Sequence, residues 1–370
     1  MINKISSVIQ LTHTLTIGDA ISDSILSMHE TFMTIGLRSS IVAQFIHRDL
    51  ANFASRLSDK KLSADLVILH FSIGGWIILA FKRSSARIKG MVFHNITPPV
   101  FFDGVNQRVL RHLKSGISSL KKVSDICDFF IADSYYNLKT LSCYVGDLGS
   151  KPRFVLPLKV NRKKFQKPTL LDKLNWFLVP KQLKKRKAKL LFVGRIAPNK
   201  NLEDCIRVLA KFKRSYEGDT VFWLAGTYQD CELYRAKLEA IISYYQLQDS
   251  VIFWGPVSEG FLQLLYKNAS AYLAFSKHEG FCVPVIEAFA YGLPVIGFKC
   301  SGLAETMGKR ACFVFPRSVN RAARIIHRVV FNPSFKNRIL RCQSRRLSYF
   351  SEEKFTERLK SILTSLNDFF

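Results

Sequence analysis

The chain has 370 residues, of which 48% are hydrophobic, and 55 lysines and arginines stand against 28 aspartates and glutamates for a formal charge of +27. That apolar content excludes a disordered chain and is enough for a large core divided between two domains. The charge excess favours anionic partners, such as polyanions, nucleotides, phosphate-bearing substrates or anionic lipid, without choosing among them.

The amino-terminal stretch "MINKISSVIQLTHTLTIGDA" has no small-residue cleavage site, so no signal peptide is expected. Within it "SVIQLTH" predicts a first strand, and the spacing of Ala20, Ile21, Ile25, Met28 and Phe32 predicts a helix from about Asp19 to Ile35. Gly18 between them makes an amide-rich turn able to meet an anion. Further strands are predicted at "SSIVAQF", "DLVILHF", "IKGMVFHNI", "DFFIADS" and "PRFVLPL", each separated by a turn or a helical segment. The run "LVILHFSIGGWIILAF" is too short and too interrupted for a membrane span and reads as a strand, a loop and the start of a helix. His94, at the carboxyl end of a strand in "GMVFHNITPP", reads either as a donor to a bound hydroxyl or as a structural histidine; His13, His70 and Asp133 have weaker claims.

Residues 161–188 are strongly basic and interrupted by prolines, as in a linker. A second alternation of strands and helices follows, with strands at "AKLLFVGR", "TVFWLAGT", "SVIFWGPV", "AYLAFS", "PVIGF" and "ACFVFP". The expected organisation is therefore an α/β protein of two Rossmann-like lobes facing across a cleft. Its parts are a first lobe over 1–160, a basic linker over 161–188, a second lobe over 189–345, and a carboxyl-terminal helix over 346–370 packing back towards the first lobe. A ligand is expected in the cleft, near the carboxyl ends of the strands.

In the second half, "FVGRIAPNKNLEDCI" presents Arg195 and Lys200 between a strand and a helix, either as a pair of phosphate ligands or as ordinary surface cations. Gly226 and Gly255 end two apolar strands, where they permit close backbone approach or simply turn the chain. In "HEGFCVPVIEAF" a helix is expected to begin near Pro284, which would put Glu279 in the preceding loop and Glu287 in the first turn. The loop amides from Lys277 to Val283 could then face an anion, with both carboxylates at the same end; each acid also has a reading as a plain surface or helix acid. "SGLAE" brings Ser301, Gly302 and Glu305 after another strand, to complete a phosphate or nucleotide pocket or to start a helix. No metal-ligand motif, nucleophile elbow, P-loop or dinucleotide fingerprint is present, and the eight cysteines are scattered as in a reducing cytoplasmic protein.

Taken together, "FVGRIAPNKN", "FWLAGT", "VIFWGPV", "HEGFCVPVIEAFAYGLPVI" and "SGLAE" resemble the retaining nucleotide-sugar glycosyltransferases of family 4, which have the GT-B fold. The likeness spans the second lobe in order and is looser in the first. It implies that Arg195 and Lys200 contact the donor diphosphate, that Glu287 binds the nucleotide ribose, and that Glu279 lies against the donor sugar. Amides of Gly280, Phe281 and Cys282 would lie near sugar or phosphate, Gly18 would approach the phosphate, and His94 would contact the transferred sugar. The sequence departs from the pattern at Cys282, where glycine is usual, and at Asp19, where many members have a second glycine.

The resemblance implies a UDP- or GDP-linked sugar as co-substrate, no metal or other cofactor, and a saccharide or lipid-linked acceptor in surface polysaccharide or glycoconjugate assembly. The basic stretches "FKRSSARIKG" and "NQRVLRHLKSGISSLKKVSD" add a possible peripheral contact with an anionic membrane at the cytoplasmic face, or a solvated basic surface. The competing readings are a GT-B sugar phosphorylase or sugar-phosphate-forming synthase and a basic nucleic-acid-binding protein. No nucleic-acid recognition motif supports the last.

Overall fold

Strands buried on both faces read as unbroken apolar runs, and "LVILHF" is such a run: Leu66 to Phe71 are all buried. In the computed structural model this segment lies at the centre of a seven-stranded parallel sheet. The structure describes residues 4–57, 62–160, 168–216, 219–315 and 317–370. The strands are β1 (Ser7–Leu15), β2 (Arg38–Ile46), β3 (Ser55–Arg56), β4 (Ser63–Phe71), β5 (Ser85–Phe93), β6 (Phe129–Ala132) and β7 (Arg153–Val155), in the order β3-β2-β1-β4-β5-β6-β7. Helices α1 (Ala20–Thr34), α2 (Ile77–Arg83), α3 (Gln107–Ser124) and α4 (Tyr135–Val145) connect them. The six strands predicted here are all present; the addition is β3, a two-residue exposed edge whose polar "SR" carries no periodic signal.

Helix α3 is amphipathic and basic, but its apolar stripe is used internally. Leu110, Leu120 and Val123 are buried, Leu113 and Ile117 pack against the same core, and Arg108, Arg111, Lys114, Lys121 and Lys122 are exposed. What α3 offers the solvent is therefore charge without an apolar face.

A second sheet is wholly parallel, with β8 (Ala188–Val193), β9 (Thr220–Ala225), β10 (Val251–Gly255), β11 (Ala271–Ala274), β12 (Val295–Phe298) and β13 (Phe313–Val314) in the order β10-β9-β8-β11-β12-β13. Its helices are α5 (Leu170–Leu178), α6 (Lys181–Lys185), α7 (Leu202–Tyr216), α8 (Glu232–Tyr244), α9 (Glu259–Asn268), α10 (Val283–Ala290), α11 (Ser301–Met307), α12 (Val319–Phe331) and α13 (Pro333–Leu347). The last helix, α14 (Glu352–Phe369), lays Phe355, Leu359, Ile362, Leu363 and Leu366 on Val8, Leu66, Ile68 and Val92 of the first sheet.

The chain accordingly divides into one unit of residues 1–99, 108–159 and 350–370 and another of 100–107 and 160–349. Of residues 161–188, read from their basicity as linker, 161–167 lie outside the described residues and 170–185 fall in the second unit. The latter form α5 and α6, with Trp176 edge-on to Trp223 and Phe261 at ring distances of 5.9 and 6.0 Å. Residues 100–107 also group with the second unit, and the return to the first falls at Phe350 rather than residue 346. Among the described residues no helix is long and apolar enough to cross a membrane.

Candidate functional site

In the second sheet the chain runs outward from β8 through β9 to β10, then returns to pair β11 with the other edge of β8. The two loops leaving the carboxyl ends of β8 and β11 therefore diverge at the point where strand order reverses, which is where open α/β sheets bind ligands. Lys200 is on the first of these loops and Glu279 on the second.

The two are brought into direct contact. Lys200 Nζ donates to both carboxylate oxygens of Glu279 at 2.8 Å, and Ser276 Oγ donates to Oε1 at 2.7 Å. Burial works against the Lys200 charge, but Glu279 and the neighbouring Cys282 outweigh it, and the ammonium titrates above its ordinary range. Glu279 is only 7% exposed, so it is a buried, paired acid and not a solvated loop residue. The lysine is positioned by asparagines on either side. Lys277 N donates to Asn199 O at 2.8 Å, Asn199 Nδ2 donates to His278 O at 3.2 Å, and Asn201 Nδ2 donates to Phe275 O at 3.0 Å. Asn201 adopts φ +56°, a left-handed conformation that asparagine tolerates better than most residues and that turns the chain into α7.

The loop over 279–281 is fastened to α11. Glu279 N donates to Ser301 Oγ at 2.8 Å, Gly302 N donates to Glu279 O at 3.0 Å, and Thr306 Oγ1 donates to Phe281 O. Cys282 follows with φ +83° and ψ +73°, directly before α10. This is the left-handed region where the family pattern has glycine, so the departure at 282 places a side chain on a backbone suited to none. Burial and Glu279 push its thiol well above the ordinary cysteine range.

Glu287 lies beyond the first turn of α10, because the helix starts at Val283, and it accepts from Tyr266 Oη at 2.9 Å. Burial, with Glu287 beside it, drives the Tyr266 phenol well above its usual value, so this ring remains a donor. Arg195 donates from Nη2 to Gln229 O at 3.3 Å and stands 5.5 Å from the centroid of Phe102. Gly226 has a simpler cause than ligand approach. A Cβ there would stand 2.0 Å from Gly194 O, so crowding between neighbouring strand ends requires glycine. Glu305 is in the second turn of α11, not at its start, and its carbonyl accepts from Arg346 Nη2 at 2.6 Å.

In the first unit, Gly18 has φ +76° and precedes α1, whose N-cap is Asp19. The Asp19 carboxylate accepts from Ser22 N and Ser22 Oγ, both at 2.9 Å. The acid that replaces a second glycine thus already occupies part of the helix N-terminus expected to receive an anion. His94 is also committed internally. Its Nε2 is 2.9 Å from His70 Nδ1 and its Nδ1 is 3.1 Å from Asp133 Oδ2, while His70 Nε2 is 2.9 Å from Gln10 Oε1. Both ring nitrogens being engaged, the imidazole would have to release a partner to bond a sugar. His70, Asp133 and Gln10 gain their significance from this buried chain. The partners are 24, 39 and 60 residues apart, beyond the reach of any local motif.

One pH-dependent effect arises beside the ion pair. Burial, together with the Lys200 charge and against the pull of Glu279, lowers His278 to about 4 from its ordinary 6.5. Between these values the unfolded chain takes up a proton that the folded chain refuses, so stability falls as pH drops through the window. The contribution is about 3 kcal/mol. His278→Gln is expected to flatten the dependence of unfolding free energy on pH between 7 and 4 by that amount, as read by urea titrations; an unchanged slope would refute the assignment.

Residues 175–342 match the family described as glycosyl transferases group 1. They form a group 1 glycosyl transferase domain. The O-antigen chain mannosyltransferase RfbU of Salmonella typhimurium is 30% identical to the chain over 232 residues, covering 62% of this chain and 57% of that protein. Glycogen synthase of Mycobacterium tuberculosis is 26% identical over 181 residues, 48% of this chain and 42% of that one, so the chain spans less than half the length of that relative. Among solved structures, Anabaena HepE in complex with UDP and glucose superposes with a TM-score of 0.72 at 14% identity, over 97% of this chain and 100% of the other. The fold is accordingly GT-B, with two Rossmann-like α/β units. The glycosyl transferase domain contains nine of the eleven expected site residues; Gly18 and His94 lie outside it.

Proposed function

We propose that the protein is a retaining glycosyltransferase that moves a sugar from a UDP- or GDP-linked donor to a hydroxyl of a saccharide or lipid-linked acceptor. The observation that carries this reading is the Lys200–Glu279 ion pair, set at the strand-order reversal of the group 1 domain. The chemistry needs positive charge where a diphosphate departs and a negative or hydrogen-bonding group against the electron-poor sugar ring. Arg195 and Lys200 supply the former and Glu279 the latter, while Glu287, oriented by Tyr266, accepts from the ribose diol. The acceptor oxygen forms its bond on the face from which the diphosphate leaves. The anomeric carbon–oxygen bond breaks, and the acceptor proton passes to a departing phosphate oxygen. Because side-chain cations provide the charge, transfer is expected without a metal and should persist in the presence of a chelator.

A role in surface polysaccharide or lipopolysaccharide assembly is supported by the O-antigen enzyme among the relatives. UDP- and GDP-sugars screened by thermal shift and by slow donor hydrolysis test the proposal. A shift of several degrees with one nucleotide-sugar, lost in Glu287→Ala, is expected; no shift or hydrolysis with any donor would overturn it. Turnover of a sugar phosphate, or of the donor sugar onto inorganic phosphate, would instead indicate a synthase or phosphorylase.

A further inference from the structure

Among the described residues, helix α5 is held firmly along one side and left bare along the other. Thr169 and Asp172 form a reciprocal capping box, with Thr169 N donating to Asp172 Oδ2 at 2.9 Å and Asp172 N to Thr169 Oγ1 at 3.1 Å. Asp172 also accepts from Ser258 Oγ, Trp176 is wedged against Trp223 and Phe261, and Val179 is buried. At the other end Lys184 Nζ donates to the carbonyls of Trp176 and Phe177, both at 3.1 Å, closing the carboxyl end of the helix. Positions 172, 176 and 179 thus face inward at helical spacing.

The opposite face is Leu170, Leu171, Leu174, Phe177 and Leu178, exposed by 84, 64, 51, 72 and 69%. Single exposed apolar side chains are ordinary; five within a nine-residue helix are a patch that solvent alone does not favour. Around it Lys173, Lys181, Lys185 and Lys187 are exposed, and the sole acid between residues 169 and 187 is the buried Asp172. An apolar strip rimmed by ammonium groups complements a surface that is apolar below and anionic above. The lysine rim also makes a second copy of the same face a poor partner, since the two rims would repel.

We propose that α5 and the lysine-rich turn after it dock the protein onto an anionic phospholipid leaflet, with the leucines and Phe177 in the acyl boundary and the lysines at the phosphates. The proposal rests on the chemistry of this face and not on the transferase reading, and it moves the membrane contact from α3, whose apolar stripe is spent on its own core.

Co-sedimentation of the full chain with vesicles of phosphatidylcholine alone, or of phosphatidylcholine and phosphatidylglycerol in equal parts, tests it. The wild type is expected to partition onto the anionic vesicles and much less onto the neutral ones, and Leu174→Glu/Phe177→Glu to weaken partitioning by about tenfold or more. Phe177→Trp, which keeps the face apolar, is expected to bind as the wild type does and to shift its emission to the blue on anionic vesicles. Thermal midpoints of all variants should stay near the wild-type value, since these side chains face solvent. Equal binding to both vesicle types, or undiminished binding by the double glutamate variant, would overturn the proposal. Loss of binding in Arg111→Glu/Lys114→Glu but not in the α5 variant would assign the contact to α3 and overturn it equally. So would a dimer in solution, broken by the α5 substitutions, without vesicle binding.

Discussion

Lys200→Met is expected to lower the turnover of sugar transfer by about 10² to 10³, with a smaller effect on donor affinity. Charge on the departing diphosphate is largest in the transition state, so a cation placed to meet it contributes most there. The same substitution leaves Glu279, which is 7% exposed, with the Ser276 hydroxyl but without the ammonium that meets both its oxygens. A buried acid deprived of its partner costs about 3 kcal/mol, the lower end of the range because the Lys200 side chain retains 20% exposure. Adding Glu279→Gln removes that buried charge and should return most of the stability while leaving turnover at the level of the single variant or below. Urea unfolding and single-turnover kinetics on the two single variants and the double one separate the two losses. Near-normal transfer by Lys200→Met would dismiss its place on the diphosphate, and a fully additive loss of stability would dismiss the coupling.

Gly302→Ala is the second substitution with a large expected effect, and it acts without touching a charged group. A Cβ at 302 would lie 1.9 Å from Gly280 O and 3.0 Å from Glu279 O, both backbone atoms that cannot rotate aside. The loop must move as a whole, and with it the hydrogen bond from Gly302 N to Glu279 O and the carboxylate paired with Lys200. A stability loss of about 3 kcal/mol and a fall in turnover of about a hundredfold are expected, since misplacement by an ångström is enough to degrade a positioned group. Hydrogen exchange should localise the change to residues 277–283 and the start of α11. Wild-type stability in this variant would mean that the loop does not approach α11 as closely as described.

The sheet strands were legible in the sequence because both sheets are parallel and covered on both faces, so that "LVILHF" or "TVFWLA" stands out as a continuous apolar run. Helices α5 and α6 were not, because Trp176 and Val179 carry the packing of a segment otherwise dominated by lysines and exposed leucines. The candidate site was legible as residue types and illegible as partnerships. Lys200 and Glu279 each follow a strand, but 79 residues separate them and only the order of β8 and β11 in the sheet brings them together. Asn199, Ser276 and Tyr266 escaped notice for the same reason, since each acts on a residue supplied by another loop or helix. The position of Glu287 depends on where α10 begins, and helix ends are set by local capping that the sequence constrains weakly.

The placement of α14 has a consequence for how the protein is made. The first sheet's covering residues Phe355, Leu359 and Leu366 are synthesised only after the whole of the second unit, so Val8, Leu66 and Val92 emerge from the ribosome with one face covered only in part, by Met28 and Phe32 of α1. At ordinary elongation rates that interval is on the order of ten seconds or more. During it the amino-terminal half keeps the apolar surface that α14 will cover, while residues 160–349, contiguous in the chain, can already close on themselves. The order of birth and the order of completion are therefore reversed, and the half that is translated first finishes folding last.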